Sequence, residues 1–373
     1  MLSIGLMSGT SLDGVDAVLA QFGDGSGQAL LQVLGHVHQP FDPALRDELL
    51  ALNRPGDNEL HRAALAGNGV ARAYALAVAE LLERCGIAAA QVTALGAHGQ
   101  TVRHRPGEFD ATGYTVQLLN GALLAELSGI AVVADLRSRD VAAGGQGAPL
   151  VPAFHAALFG RPGLAQAVLN LGGIANLTLL GGDGSVRGFD CGPGNVLMDL
   201  WCQRHRGQPF DADGAWAAQG RVDAGLLARW LAEPFLQRPP PKSTGRDLFH
   251  AEWLEAHLAA HGQPVPAVDV MATLAEFSAR AAVDALQQHQ PDATRLLVCG
   301  GGALNGQLMR RLAALWPQGP VQSTEAAGLP PLQVEAAAFA WLAAAFVRRQ
   351  PGNLPAVTGA AGPRLLGALY PAG

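Results

Sequence analysis

Asp190 stands between Phe189 and the run Cys191-Gly192-Pro193-Gly194-Asn195. A carboxylate on a rigid turn suits a general base, which must be held still against the proton it takes. The same placement suits an N-cap for the helix that opens just beyond, and position alone leaves both roles open. A second chemical stretch opens the chain. The apolar run Leu2, Ile4, Leu6 leads into Ser8, Gly9, Thr10 and Ser11, followed by Leu12, Asp13, Gly14, Val15 and Asp16. Glycine lets a backbone approach an anion closely. Hydroxyls and backbone N–H groups in such a turn can cradle phosphate. Carboxylates beside it can hold the outer shell of a magnesium ion, which keeps most of its waters. An ordinary polar hairpin tip uses the same residue types.

Two further stretches share this punctuation. Gly172-Gly173 interrupts the apolar segment 165–180, and Gly300-Gly301-Gly302 follows the apolar run 295–299, with Asn305 beyond. Strand ends without side chains are where ligands reach the backbone in α/β proteins. His98 and His104 flank Gln100 and Arg103, groups that could line a polar sugar site or satisfy loop carbonyls. Glu335 opens an alanine-rich helix, where the helix dipole favours a carboxylate.

The pattern argues against several chemistries. No Gly-rich fingerprint carries an acidic residue at the distance a dinucleotide fold requires. Lys242 is the sole lysine, so no Gly-Lys-Ser/Thr phosphate loop exists, and Lys242-Ser243-Thr244-Gly245-Arg246-Asp247 reads as a charged surface turn. No paired-histidine motif suggests zinc. The net charge of −6 and the lack of a basic run argue against a nucleic-acid surface. Cys85, Cys191, Cys202 and Cys299 lack metal spacing and read as free thiols in a reducing compartment. The longest apolar stretch, 336–347, is too short to span a bilayer, and the N-terminus enters a strand directly, so a cytoplasmic protein without membrane contact is expected.

At 373 residues the chain exceeds what one core usually serves. Strand-like and helical stretches alternate in α/β fashion. Two lobes are expected, 1–160 and 161–373, with the C-terminal tail packing back. Segment 165–180 echoes the opening hairpin: apolar run, small polar turn, apolar run.

Together the segments MSGTSLDGVDAV (7–18), HGQTVRHRP (98–106), AAGGQGAPLVP (142–152), LNLGGIANLT (169–178), GFDCGPGN (188–195), KSTGRD (242–247), CGGGALN (299–305) and NLPAVTGA (353–360) resemble the anhydro-N-acetylmuramic acid kinases. The resemblance implies a two-lobed actin-like/sugar-kinase (ribonuclease H-like) ATPase fold with a central cleft. It implies ATP and Mg2+ as cofactors, a small sugar as substrate and a homodimer. The implied reaction opens 1,6-anhydro-N-acetylmuramic acid with water and phosphorylates O6, a step in cell-wall recycling. By the same resemblance Asp190 is the catalytic base. ATP falls to Gly9 through Asp16, to Gly172, Gly173 and Asn176, and to Gly300, Gly301, Gly302 and Asn305. Asp13 and Asp16 would serve magnesium through water. His98, Gln100, Arg137 and Glu335 are the expected sugar contacts, with Arg137 on the lactyl carboxylate. Cys191 replaces the usual Thr, Asp247 the usual Glu, and Pro331-Leu332-Gln333 departs from the acidic or aromatic residues expected there. A kinase of another sugar and a non-catalytic nucleotide sensor are the alternatives.

Overall fold

A computed structural model describes every residue except Thr10, Ser11, residues 24–30, Arg246 and Asp247. The chain divides into two compact units, Met1–Leu158 with Gln333–Gly373, and Phe159–Leu332. The division at 158/159 falls beside the expected one. Residues 333–352, expected in the second lobe, belong to the first unit together with the tail that was expected to pack back on it.

The first unit contains β1 (Leu2–Met7), β2 (Gly14–Phe22), β3 (Leu31–Pro40), α1 (Pro43–Ala51), α2 (Glu59–Cys85), β4 (Ala94–Ala97), β5 (Gln100–Pro106), β6 (Gly113–Leu118), α3 (Gly121–Ser128), β7 (Val132–Ala134), α4 (Ser138–Ala142) and α5 (Val151–Phe159), the last residue of which opens the second unit. The second unit holds β8 (Gln166–Leu171), β9 (Ile174–Leu180), β10 (Val186–Pro193), α6 (Val196–Arg206), α7 (Ala224–Leu231), α8 (Pro234–Gln237), α9 (Ala251–His261), α10 (Ala267–His289), β11 (Leu296–Cys299), α11 (Gly306–Leu315) and β12 (Val321–Ser323). The chain then returns to the first unit with α12 (Val334–Val347), α13 (Pro355–Thr358) and β13 (Ala368–Tyr370).

The first sheet runs β13-β7-β4-β1-β2-β3 and the second β10-β9-β8-β11-β12. In each, three strands form an antiparallel meander, and two more join parallel to the first of them. This is the ribonuclease H-like order, used twice. The echo between the opening hairpin and 165–180 is therefore a repeat of topology. β13 adds antiparallel to β7, which anchors the tail.

Burial explains the elements. In α2, Val70, Tyr74, Val78 and Leu81 recur at helical spacing, lie over β2 and β3, and share one core with Ile4 and Leu6 of β1. The helix stops at Gly86, whose φ of 64° supplies the left-handed cap. The opposite face of the sheet receives α12. A Cβ at Gly5 would lie 1.8 Å from the Ala336 carbonyl oxygen, and one at Gly96 2.0 Å from that of Phe339. Only glycine admits a helix backbone that close, and this contact draws α12 into the first unit.

Two local expectations are corrected. Asp190 and the first two residues of the expected Gly192–Asn195 turn are strand: β10 runs to Pro193, with a bulge between Asp190 and Gly192. The periodic apolar stretch 222–236 forms two helices rather than one. Pro234 cannot continue α7, and it begins α8 with Glu233 accepting from the Phe235 N–H as cap.

Gly5→Ala should destabilise the fold by ~3 kcal/mol through overpacking, visible as a lowered melting temperature. An unchanged melting temperature would show that α12 can move off the sheet.

Candidate active site

In the first unit the turn after β1 is tied down through its carbonyls. His98 Nδ1 lies 3.2 Å from the Ser8 carbonyl oxygen, which requires a proton on that nitrogen. Gln100 Nε2 donates to the Gly9 carbonyl at 3.1 Å, and the Leu12 N–H reaches the same oxygen at 3.3 Å. The Ser8 hydroxyl faces inward, donating to the Gly99 carbonyl at 3.2 Å and meeting the Tyr74 hydroxyl at 2.8 Å. These carbonyls are engaged by the protein, which suits a turn that presents N–H groups to an anion. Leu12 adopts φ 57°, and Gly14 sits where a Cβ would meet the Gln39 carbonyl oxygen at 2.3 Å. Thr10 and Ser11, expected at the phosphate edge, lie outside the described residues.

His98 is a positioning group rather than a sugar contact, a correction to its expected role. It is 6 % exposed, and both ring nitrogens are engaged. With the proton on Nδ1, Nε2 accepts from Arg137 Nε at 3.1 Å and Nη2 at 3.0 Å. Burial, followed by the Arg137 charge, lowers its pKa to about 3, so the imidazole stays neutral. Arg137 Nη1 also donates to the Gly147 carbonyl at 2.8 Å. These bonds use three of the five guanidinium N–H groups and leave one on each Nη, a pair suited to a carboxylate. Burial lowers the Arg137 pKa to about 10, against the charges of Glu335 and Asp140, so it remains cationic at neutral pH. Glu335, half-buried in the first turn of α12, has its pKa raised by burial; Arg137 opposes that shift and Asp16 adds to it. Gln100 is 1 % exposed, and its Oε1 is a buried acceptor without a partner.

The carboxylates expected near magnesium differ. Asp13 is exposed. Asp16 shares Oδ1 between His36 Nε2 at 2.9 Å and His38 Nδ1 at 3.2 Å. Among the described residues no cluster of three or more His, Cys, Asp or Glu side chains could hold a metal. Asp16 thereby joins β2 to β3.

In the second unit Asp190 lies within β10 and does not cap α6, whose N-cap position is Asn195. The cap reading is thereby excluded. Asp190 pairs across with Asn176, which pairs in turn with Asn170. Directly opposed residues share a sheet face, so these three form a polar row. Lys242 and Thr244 hold Asp190. The Asp190 N–H donates to the Lys242 carbonyl at 3.1 Å, and the Thr244 N–H donates to Asp190 Oδ2 at 2.9 Å. Lys242 is not on a surface turn. Its Nζ donates to the carbonyls of Leu236 at 2.8 Å and Phe235 at 3.3 Å, above the rings of Phe235 and Phe189. Burial raises the Asp190 pKa to about 6, against the Thr244 N–H and the Lys242 charge. Cys191 donates to the Ala175 carbonyl at 3.4 Å, a bond a Thr hydroxyl could also make, and burial pushes its thiol pKa up.

The glycine turns of this unit meet at one corner. The Asn195 N–H donates to the Gly172 carbonyl at 2.8 Å, and the N–H groups of Gly194 and Val196 donate to that of Gly173. Asn195 Nδ2 donates to the Leu171 carbonyl at 2.9 Å. A Cβ at Gly302 would meet Leu171 Cβ at 2.4 Å, and one at Gly300 would meet Asn170 Oδ1 at 2.5 Å. A Cβ at Gly172 or Gly173 would make only ordinary contacts, at 3.6 Å with the Ile174 carbonyl oxygen and 3.9 Å with Val196 Cβ. Asn305 caps α11, with Oδ1 accepting from the Leu308 N–H at 3.0 Å, and so supports the loop rather than extending it. Asn170 and Asn195 were not singled out as site residues; their register beside the glycines is visible only once the strands pair.

Glycine turns close equivalent hairpins of two like sheets, and the second carries the half-buried Asp190 carboxylate, an arrangement of the two-lobed α/β sugar-kinase class. The sequence matches the family profile described as anhydro-N-acetylmuramic acid kinase over residues 1–372, and the chain belongs to that family. Relatives so named are 61 % identical in Variovorax paradoxus, covering 100 % of this chain and 99 % of the relative. In Bordetella petrii the identity is 61 %, with coverage of 100 % and 96 %. Among solved structures, an activator of 2-hydroxyisocaproyl-CoA dehydratase from Clostridium difficile with bound ADPNP is similar at a TM-score of 0.45 and 12 % identity, covering 94 % and 96 % of the two chains. A ROK family glucokinase from Streptomyces griseus with glucose and AMPPNP gives 0.40 and 15 %, covering 92 % and 99 %.

Because the folded pKa of Asp190 is raised, its ionisation opposes folding above pH 6, and the penalty fades as pH falls toward 4. Asp190→Asn should therefore raise the melting temperature at pH 7.5, by up to about 3 kcal/mol in stability, and the gain should shrink by pH 4.5. A variant no more stable than the parent at pH 7.5 would show that Asp190 is not an unfavourably buried charge.

Proposed function

We propose that this protein converts 1,6-anhydro-N-acetylmuramic acid, ATP and water into N-acetylmuramic acid 6-phosphate and ADP, a cytoplasmic step of peptidoglycan recycling. The observation that carries the reading is Asp190: one carboxylate oxygen is held by the Thr244 N–H, and the pKa is about 6. Such a group is ionised at neutral pH yet still accepts a proton readily.

The anhydro sugar has no free 6-hydroxyl, so ring opening must accompany transfer. Asp190 takes a proton from water as the water oxygen attacks C1. The C1–O6 bond breaks and its electron pair stays on O6. O6 then attacks the γ-phosphorus, and the bond to the ADP oxygen breaks. Asp190 returns its proton to solvent. Phosphoryl transfer of this kind depends on positioning and charge stabilisation. Gly9, Leu12, Asp13 and Gly14, with Val15 and Asp16 after them, serve the phosphates from the first unit. Gly172 and Gly173, with the polar row at Asn176, form that of the second, and Gly300–Gly302 lie toward the adenosine.

Arg137 meets the lactyl carboxylate through its two remaining N–H groups, and Glu335 accepts from a sugar hydroxyl. Gln100 Oε1 gains its partner from a bound donor. Magnesium, when bound, neutralises phosphate charge, and the exposed Asp13 suits one of its waters. Among the described residues no helix is long and apolar enough to cross a membrane. A homodimer accompanies this reading.

ADP formation should require the anhydro sugar; N-acetylmuramic acid and N-acetylglucosamine should not replace it. Equal turnover of the unbridged sugars would overturn the ring-opening reading. kcat/KM should fall below about pH 6 as Asp190 is protonated. Asp190→Asn should lower kcat by ~10³-fold with ATP affinity unchanged; loss of ATP binding would contradict its role as base.

A further inference from the structure

Two segments have no part in the reaction above: the glycine-rich loop after α4 and the C-terminal stretch from Asn353 to Ala360. They meet at Asp140, which is 0 % exposed. Its Oδ1 accepts from Asn353 Nδ2 at 2.6 Å and from the Thr358 hydroxyl at 2.8 Å. Its Oδ2 accepts from the Gly147 N–H at 2.8 Å. A buried carboxylate is tolerated when donors replace its water, and these three do so.

The backbones are joined around this centre. The Gln146 N–H donates to the Thr358 carbonyl at 2.7 Å, and the Ala361 N–H to that of Ala143 at 2.8 Å. Asn353 is fixed in turn by the Arg364 N–H on its Oδ1 at 2.6 Å. The loop closes on the carboxylate because no side chain intervenes: a Cβ at Gly145 would lie 2.2 Å from Asp140 Oδ2, and Gly147 adopts φ 66°. Gly147 is thus held at its N–H by Asp140 and at its carbonyl by Arg137. The guanidinium rests on two supports, His98 and Gly147, and Asp140 fixes the second.

We propose that Asp140, clamped by Asn353 and Thr358, is a positioning residue that sets the plane of Arg137 for carboxylate recognition. The C-terminal stretch thereby takes part in selecting an acidic sugar. A bidentate guanidinium–carboxylate pair is strong only when both planes are fixed, so loosening Gly147 weakens acid recognition in particular. This inference rests on the reading of Arg137 as the lactyl-carboxylate group.

The test measures dissociation constants of the full-length enzyme for anhydro-N-acetylmuramic acid and for its uncharged methyl ester by titration calorimetry. The parent should prefer the acid. Thr358→Val, which keeps shape and removes one donor, should cut that preference about tenfold, the order of one hydrogen bond to a charged group. Thr358→Ser should restore it, and the affinity for a non-hydrolysable ATP analogue should stay constant throughout, which a general loss of structure would not allow. Asp140→Asn should cut the preference further; Thr358→Val decides the matter where that variant does not fold. If Arg137→Gln abolishes the preference while Thr358→Val retains it in full, the clamp is overturned and the Arg137 reading stands. If Arg137→Gln itself retains the preference, the Arg137 reading falls, and this inference with it.

Discussion

Helix α12 lies so close to the six-stranded sheet that no side chain fits beneath it at Gly5 and Gly96. Much of the first unit's chemistry depends on that approach. It sets Glu335, in the first turn of the helix, within electrostatic reach of Arg137 and Asp16. It brings the Phe339 ring to 4.8 Å from His98, closing the imidazole off from water. A dry His98 stays neutral, and a neutral imidazole is what lets its Nε2 accept from a cation. A protonated ring in that place would repel Arg137 instead. The chain from glycine to helix to imidazole to guanidinium is one of packing first and charge second.

Burial is used in opposite senses in the two units. In the first it strips a proton from histidine, so that the histidine can hold an arginine. In the second it raises the pKa of an aspartate, Asp190. Lys242 moderates the second case. Its charge favours the ionised Asp190, yet its ammonium is directed at the Phe235 and Leu236 carbonyls rather than at the carboxylate. A direct ion pair there would hold the carboxylate pKa down and weaken it as a base.

The glycine turns and their flanking strands were legible because apolar runs and small residues alternate so sharply at 2–14, 166–180 and 295–302. Helix α11 is legible from its start, since Asn305 and the following periodicity mark it. The role of Asp190 could not be separated from that of a cap, because local sequence does not reveal that β10 continues to Pro193 against β9. His98 was misread as a ligand group for a related reason: its two partners, Ser8 and Arg137, are 90 and 39 residues away. Lys242 looked like a surface residue because its partners are backbone carbonyls, which leave no mark in a sequence. The Asp140 clamp was invisible in the same way, joining residues more than 200 positions apart.

The central claim is that Asp190 activates water against C1 and that the phosphoryl group goes to the released O6. Turnover in ¹⁸O-labelled water tests it directly, with the product read by mass spectrometry before its anomeric oxygen exchanges with solvent. The account predicts one labelled oxygen at C1 and none in the phosphate. Label in the phosphate, or product without label at C1, would contradict it.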